Sequence, residues 1–338
     1  NRYFSPESVV TVYKRQGVDS TQKKIDKPAI TAIPSNREYQ SQFLTDIKNA
    51  KVEPIQPQFV DFKRDLTFAK TKKGLPVIYK QNTSDGLFEL MFCYDFGTED
   101  VRGLDLVPQY LYYIGTDKKT SAEINKEFYK LACSYSIDVN DDQMTISLSG
   151  LSENMPQALR LLEDFLQNAK ADRESYDNCV SLLEKTRNDA KTDQKSCFMA
   201  LQDYAKYGEY NPVTNTLSID ELKNADPQAL PDMLKGLNGM KHQVLYFGPY
   251  SQKELLALLA KEHKTQKKLA DVPQGKPYTL QTITTNTNLI APYDAKNIYM
   301  AEFSNTGKQW NIDETAKMQL FNEYFGGGMN SIVFQELR

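Results

Sequence analysis

The chain has 338 residues, of which 40% are hydrophobic and 25% are charged, and its formal net charge is −3. This composition supplies enough apolar residues for one large core or two moderate ones, and we expect two domains. The slight negative charge gives no electrostatic attraction to nucleic acid or to an anionic membrane surface. No apolar run approaches the length needed to cross a bilayer, so neither nucleic acid nor a membrane span is expected.

The first residues suggest a piece of a longer polypeptide. The sequence begins with Asn1 rather than methionine, and residues 9–14 have the β-branched and aromatic composition of a strand without a predicted partner. A connecting arm follows to about residue 75, because several prolines interrupt it and proline restricts its own φ and the residue before it. One short helix is predicted at 36–49. Apolar residues such as Phe43 and Phe59 indicate that the arm packs on something.

An α+β unit is predicted from about Gly74 to Tyr250. Its elements are strands at 75–80 and 87–96, a helix capped by Ser121, a hairpin of 135–139 and 143–149, helices at 155–169, 173–190 and 196–207, and a strand at 243–247. Strands with helices grouped between them predict helices packed on one face of a mostly antiparallel sheet. Inside this unit, residues 103–116 read GLDLVPQYLYYIGT.

Cysteine and histidine are too few and too scattered to indicate a metal or redox motif. The four cysteines form no C-x-x-C pair and are interpreted as small buried hydrophobic residues: Cys93, Cys133, Cys179 and Cys197. The only histidines are His242, at the start of a predicted strand, and His263, beyond a predicted helix. We interpret each as a surface or strand-end residue that forms no metal pair with the other.

A polar, proline-containing linker is predicted at 263–277, and a second domain then begins with β-like runs at 279–285 and 298–303. No return strands close its sheet, so we interpret this domain as truncated. The last residues, 321–338, read FNEYFGGGMNSIVFQELR. A helix from about residue 313 meets three glycines, which predicts a sharp turn, and Ser331 is the predicted N-cap of a second helix.

The segments 103–116 and 321–338 resemble the M16 family of zinc metallopeptidases, the pitrilysin- and insulinase-like peptidases. In that family the first domain carries G-x-x-H-x-x-E-H-x-x-x-x-G-T, and the second carries a helix, a glycine-rich turn and S-x-x-F-x-E-x-R. The resemblance covers most of the chain, but its specific motifs are confined to these two segments. It implies M16-type α+β repeats, with one complete repeat and the start of a second.

The resemblance also implies a division into domains. Residues 1–73 correspond to the end of a preceding half and a linker arm. Residues 74–262 form a catalytically silent M16 domain. The linker 263–277 leads to residues 278–338, the beginning of a second M16 domain.

Residues 103–116 retain the glycines and the threonine of the first motif but lack its zinc ligands and its general base. Leu106 and Tyr110 stand where the family has two zinc-binding histidines, and Gln109 stands in place of the glutamate that acts as general base. Leucine has no donor atom, glutamine is no base, and tyrosine is a poor substitute for imidazole. Glu184 falls near the position of the family's third ligand and is interpreted as a solvated helix charge. We therefore predict no catalytic residue, metal site or cofactor in this chain, and zinc in the N-terminal half of the parent protein.

The second motif suggests one substrate contact. Arg338 occupies the position of the arginine that holds the substrate peptide in the family, and its guanidinium suits a carbonyl or carboxylate. The alternative is a cation that only complements a helix dipole. Gly326, Gly327 and Gly328 are predicted to be structural, because they set the angle between two helices.

Three functions agree with the resemblance. The chain is the noncatalytic C-terminal half of a zinc metallopeptidase that cleaves peptides in a closing chamber, or the inactive subunit of a two-chain peptidase, or a nonproteolytic scaffold or assembly protein. The strand-like start and the arm favour the first, in which the partner is an N-terminal M16 half and the substrate is a peptide. Periplasmic and cytoplasmic locations both agree with the sequence.

Overall fold

The computed structural model describes residues 5–14, 16–17, 21, 23, 25–29, 31, 39–295, 297–305 and 307–337. The chain divides into two units, Asn1–Phe59 and Val60–Arg338. Within the described ranges, no helix is both long and apolar enough to cross a membrane.

In the first unit, the described part contains a short 3-10 turn at Pro6–Ser8 and helix α1, Gln42–Asn49. The Ser41 side chain caps α1 by accepting a hydrogen bond from the Leu44 N–H at 3.2 Å. The start of the predicted helix, 36–38, lies outside the described residues. The strand predicted at 9–14 is wrong, because these residues are exposed and have no paired neighbour in the described part of this unit.

The second unit contains eleven helices and eight strands in its described part. They are α2 (Phe62–Asp65), β1 (Thr67–Lys70), β2 (Pro76–Gln81), β3 (Leu87–Tyr94), α3 (Val107–Tyr113), β4 (Gly115–Thr116), α4 (Ser121–Lys130), β5 (Cys133–Val139), β6 (Met144–Leu151), α5 (Met155–Asn168), β7 (Ala169–Lys170), α6 (Arg173–Ala190), α7 (Gln194–Tyr207), α8 (Ile219–Asn224), α9 (Ala229–Gly236), β8 (Gln243–Gly248), α10 (Gln252–Glu262), α11 (Ile312–Phe325) and α12 (Ile332–Leu337).

Six strands form one sheet in the order β1-β2-β8-β3-β6-β5, and β4 pairs with β7 in a small second sheet. The pairing of β2 with β8 is parallel, and the other four pairings in the large sheet are antiparallel. The predicted α+β class with a mostly antiparallel sheet is therefore confirmed. Strand β1 belongs to this sheet although its sequence lies within the predicted arm.

The core lies between the large sheet and its helices. On β3, Phe88, Leu90 and Phe92 are buried at alternate positions, as expected for one covered sheet face. Helix α5 packs on this layer through a continuous apolar stripe that includes Leu162 and Phe165. Leu106 and Tyr110, which occupy degenerate motif positions, belong to the same core.

The cap of α4 is one residue earlier than predicted. Thr120 rather than Ser121 is the N-cap, since the Thr120 hydroxyl accepts from the Glu123 N–H at 3.3 Å. The Glu123 carboxylate in turn accepts from the Thr120 N–H at 2.9 Å, which completes a capping box.

The strands predicted at 279–285 and 298–303 are wrong. Both segments lie beside α7, where the Gln281 N–H donates to the Lys206 carbonyl at 2.7 Å and the Tyr299 ring packs on Phe198 at 5.5 Å. A helix offers no ladder of hydrogen bonds to a neighbouring strand. Residues with strand propensity therefore remain irregular here, because that propensity depends on packing within a sheet.

Candidate functional site

The glycines near the two ends of the 103–116 segment are required by the backbone conformation. Gly103 has φ of +84°, a left-handed conformation, and begins the 3-10 turn Leu104–Leu106 that leads into α3. At the other end, a Cβ on Gly115 would lie 2.2 Å from the Lys119 carbonyl oxygen. The Thr116 N–H donates to that same oxygen at 2.8 Å. Both glycines therefore have a structural role that does not depend on a metal.

The three residues at the degenerate motif positions occupy a packed interior. Leu106 immediately precedes α3 and is buried, and Tyr110 is completely buried in the middle of that helix. Gln109 is half-buried between them in sequence. Leu106 and Tyr110 both belong to the hydrophobic core of the unit.

The hydroxyl of Tyr110 joins α3 to the start of α6. It accepts a hydrogen bond from the Asp172 N–H at 3.2 Å and donates to the Asp172 carbonyl at 3.3 Å. The ring meets Tyr176 edge-to-face, with centroids 5.3 Å apart. Burial raises the pKa of Tyr110 to about 12, so the phenol stays protonated at neutral pH.

These residues do not fit a zinc ion. Leu106 has no donor atom, and the protonated Tyr110 hydroxyl is already hydrogen-bonded to Asp172. Glu184 lies half-exposed on α6 and forms an ion pair with Lys223 at 2.9 Å, which agrees with its interpretation as a solvated helix charge. Within the described residues, no group of three or more His, Cys, Asp or Glu side chains is placed to hold a metal ion.

The cysteines are all free thiols, and Cys93, Cys133 and Cys179 are buried as predicted. Burial raises the pKa of each of these three thiols, which keeps them protonated and unreactive. Cys197 is only half-buried.

The histidines are interpreted from the sequence as surface or strand-end residues; His242 does directly precede β8, but neither histidine lies at the surface. His242 and His263 are both buried, and their Nε2 atoms are 2.9 Å apart. They meet because His242, just before β8, and His263, just after α10, both pack on aromatic residues of β3. Tyr94 stacks on His242 with ring centroids 4.7 Å apart, and Phe92 stacks on His263 at 4.3 Å. The aromatic residues of β3 thus form the floor under both imidazoles.

Glu163 extends this contact into a buried series of hydrogen bonds. Its Oε1 lies 2.6 Å from His263 Nδ1, and its Oε2 accepts from the Asn238 side chain at 2.8 Å. At the other end, His242 Nδ1 lies 2.7 Å from the Met240 carbonyl oxygen. The sequence carried one signal for Glu163: it follows Leu159 by four residues and precedes Leu166 by three, so it lies on the apolar face of α5.

The chain of hydrogen bonds requires one proton more than two neutral imidazoles supply. The links Glu163–His263, His263–His242 and His242–Met240 each need a proton, whereas two neutral histidines carry one each. Burial lowers the pKa of His242 to about 4, so this ring is neutral and donates from Nδ1 to Met240. Neutral His242 then accepts at Nε2 from His263 Nε2–H, which leaves His263 Nδ1 for the Glu163 carboxyl group.

At the C-terminal end, the glycine triplet lies in the turn between α11 and α12. A Cβ on Gly327 would lie 2.8 Å from the Glu323 Cα, so this glycine permits a close approach. The Ser331 hydroxyl accepts from the Phe334 N–H at 3.3 Å and caps α12. Arg338 lies outside the described residues, and its role in substrate binding stays a prediction.

Two family models match the sequence in adjacent parts of this unit. Residues 98–217 match the insulinase model of peptidase family M16, and residues 242–338 match the model called peptidase M16 inactive domain. Together they span well over half of the chain. The chain belongs to the M16 peptidase family.

Solved structures show the same M16 fold. The peptidase M16 inactive domain from Pseudomonas fluorescens has a TM-score of 0.60 at 14% identity, covering 81% of this chain and 67% of that one. The periplasmic protease PqqL from Escherichia coli has a TM-score of 0.54 at 14% identity over 73% of this chain. The ferredoxin protease FusC, solved with Arabidopsis ferredoxin, has a TM-score of 0.55 at 13% identity over 69%.

The chain spans only 30% of PqqL and 27% of FusC. No curated protein matches its sequence.

Removing the Tyr110 hydroxyl is expected to destabilise the M16 fold without creating a large cavity. In Tyr110→Phe, the Asp172 N–H and carbonyl lose their buried partner, which costs about 1–2 kcal/mol. The measurement is urea unfolding followed by circular dichroism. Tyr113→Phe, on the same helix but 52% exposed, is the matched control and should leave stability unchanged. Equal stability of Tyr110→Phe and the unsubstituted chain would show that the hydrogen bonds of Tyr110 to Asp172 do not stabilise the fold.

Stability is expected to fall as the pH decreases from about 6.5 to 4. In this window the unfolded chain protonates His242 while the folded chain does not, because the folded pKa is about 4, so acid favours unfolding by up to about 3 kcal/mol. The measurement is the free energy of unfolding at several pH values for the parent chain and for His242→Gln. The variant should show a flatter dependence across this window. Parallel curves would show that His242 does not contribute.

Proposed function

We propose that this chain is the noncatalytic C-terminal half of an M16 zinc metallopeptidase that cleaves peptides in a closing chamber. The proposal rests on the residues at the motif positions: Leu106 and Tyr110 are core residues, and Tyr110 is hydrogen-bonded to the backbone of Asp172. The match of residues 242–338 to the M16 inactive domain supports it. In this proposal zinc and the general base lie in the N-terminal half of the parent protein.

The role of the chain in this proposal is to form part of the chamber wall and to contact the substrate. Arg338 is the proposed substrate-binding residue of the second domain. Residues 74–262 are the silent domain, and residues 278–338 begin the next one. The partner is an N-terminal M16 half, and the other ligand is the substrate peptide.

Two other M16 arrangements remain as candidates. In one, the chain is the inactive subunit of a peptidase whose active subunit is a separate chain. In the other, it is a nonproteolytic scaffold or assembly protein. Arrangement in one polypeptide is supported by the lengths of PqqL and FusC, of which this chain spans less than a third.

The test is to produce the complete polypeptide encoded by the gene that contains this chain, and to assay cleavage of a fluorogenic peptide with and without a chelator. We expect chelator-sensitive cleavage by the complete polypeptide, and none by the 338-residue chain alone. Restoration of activity on adding zinc back is the control for nonspecific effects of the chelator.

The outcomes separate the three arrangements. No cleavage by the complete polypeptide would contradict the first. Cleavage that appears only on mixing with a separate M16 chain that carries H-x-x-E-H would establish the second. Absence of that motif from the complete polypeptide, and no activity with any M16 partner, would establish the third.

A further inference from the structure

The contact between His242 and His263 lies where two segments of the chain meet. His242 directly precedes β8, and His263 is the C-cap of α10 and the first residue of the predicted linker 263–277. Both side chains are buried, and they meet through their Nε2 atoms at 2.9 Å. We call these two residues the histidine pair. The pair therefore joins the start of a core strand to the start of a segment outside the sheet.

The segment after the pair, residues 264–271, is bound to the loop before β8. Ala270 donates to the Gly239 carbonyl and accepts from the Lys241 N–H, both at 2.8 Å. The Gln266 N–H donates to the Asn238 carbonyl at 3.3 Å. A segment held by a few hydrogen bonds outside the sheet can open while the core stays folded, because such local opening costs less than global unfolding.

Asn238 connects this segment to the buried hydrogen bonds of the pair. Its carbonyl accepts from the Gln266 N–H, and its side chain donates to Glu163 Oε2 at 2.8 Å. The other oxygen of that carboxyl group, Oε1, lies 2.6 Å from His263 Nδ1. Displacing His263 therefore breaks its contact with Glu163 and moves the residues that follow it.

The hydrogen bonds of the pair accommodate a limited number of protons. Each of three links, Glu163–His263, His263–His242 and His242–Met240, is satisfied by one proton. A further proton on His242 places N–H groups on both Nε2 atoms, which then face each other as two donors. This proton also brings a charge into a buried site, which is costly. In water both rings could form all their hydrogen bonds, so protonation favours an open arrangement.

The direction of the pH dependence follows from the environment of His242. Burial lowers the pKa of this imidazole to about 4 in the folded chain. In an open state the ring is hydrated, and its pKa returns to about 6.5. The open state therefore gains protons that the closed state does not bind as the pH falls from about 6.5 to 4, so acid favours opening.

Other titratable side chains surround the pair. They are Arg160 and Glu163 of α5, Glu262 of α10, Tyr94 of β3, Lys73 of the turn between β1 and β2, Lys241 before β8, and Lys264 and Asp271 of the segment. Tyr94 stays protonated, because burial raises its pKa. The hydrogen bond from Arg160 lowers the pKa of Glu262, which keeps that carboxylate charged. Glu163 and Asp271 are the other two carboxyl groups of this set.

We propose that the histidine pair is an acid-sensitive contact: at neutral pH it holds residues 264–271 against the loop before β8, and protonation of the pair releases this segment while the sheet stays folded. The segment leads toward residues 278–338, so its release loosens the connection between the silent domain and the domain proposed to follow it. The inference goes beyond the proposed function and does not depend on it.

The test is native-state hydrogen exchange of the 338-residue chain at pH 7 and pH 5, with increasing low concentrations of urea. Protection factors are corrected for the intrinsic pH dependence of exchange. The amides of Lys241, Gln266 and Ala270 should exchange through an opening that urea does not affect, whereas those of β3 and β6 should require urea-sensitive unfolding. From pH 7 to 5 the opening constant should rise about 20-fold, as expected for a pKa of about 4 in the closed state and about 6.5 in the open state.

Two variants identify the group that responds to acid. His242→Gln keeps an acceptor for the His263 Nε2–H but cannot be protonated, so it should retain protection of the segment at pH 7 and lose the response at pH 5. Asp271→Asn is the matched control, because it removes the carboxylate that pairs with Lys241 and should keep the full response. An unchanged response in His242→Gln, or its loss in Asp271→Asn, would overturn the proposal.

NMR of the imidazoles gives a second measurement on the unsubstituted chain. The chain contains only two histidines, so ¹⁵N-labelled histidine gives two sets of signals. At pH 7 we expect His242 to carry its proton on Nδ1 and His263 to carry one on Nε2. On acidification, His242 should become protonated as Gln266 and Ala270 lose protection. Protonation of both rings near pH 6.5 with the segment still protected would contradict the proposal. Equal protection and equal urea dependence of the segment and the sheet would also contradict it, since acid would then cause only global unfolding.

Discussion

The hydrogen bonds between the Tyr110 hydroxyl and the backbone of Asp172 fix the relation of α3 to α6. Asp172 is also the N-cap of α6, where its carboxylate accepts from the Ser175 N–H at 2.7 Å. One buried phenol therefore holds the start of a long helix in place at the position where the M16 motif of active members has a ligand. The glycines of that motif are required by the backbone conformation, so they can be present in a domain that lacks the zinc ligands. This packing leaves no room at the Tyr110 position for a metal ligand.

A second buried polar connection involves α5. Glu163, His263 and His242 link α5, α10 and the start of β8 through hydrogen bonds of 2.6–2.9 Å. Removing a single partner would leave a buried polar group unsatisfied, which is costly, so the network specifies how these elements meet. The helical layer is thus anchored by two polar contacts in addition to its apolar core.

Much of the fold could be predicted from sequence because its signals are local. The hairpin of β5 and β6 and the helices α5 and α6 follow from alternation, apolar periodicity and caps, and the motif spacing indicated the M16 family. What could not be predicted depends on tertiary placement. Residues 279–285 have strand propensity but lie beside a helix, and His242 and His263 are brought together only by the fold. The strand order likewise could not be predicted, because no sequence pattern shows that β5 lies at the edge of the sheet.

The motif positions Leu106 and Tyr110 form part of a packed core and not a metal site. Zinc titration of the metal-free 338-residue chain by calorimetry, followed by metal analysis after dialysis, tests this most directly. We expect no stoichiometric zinc in the unsubstituted 338-residue chain. One equivalent of tightly bound zinc, lost in His242→Gln or in Tyr110→Phe, would contradict it.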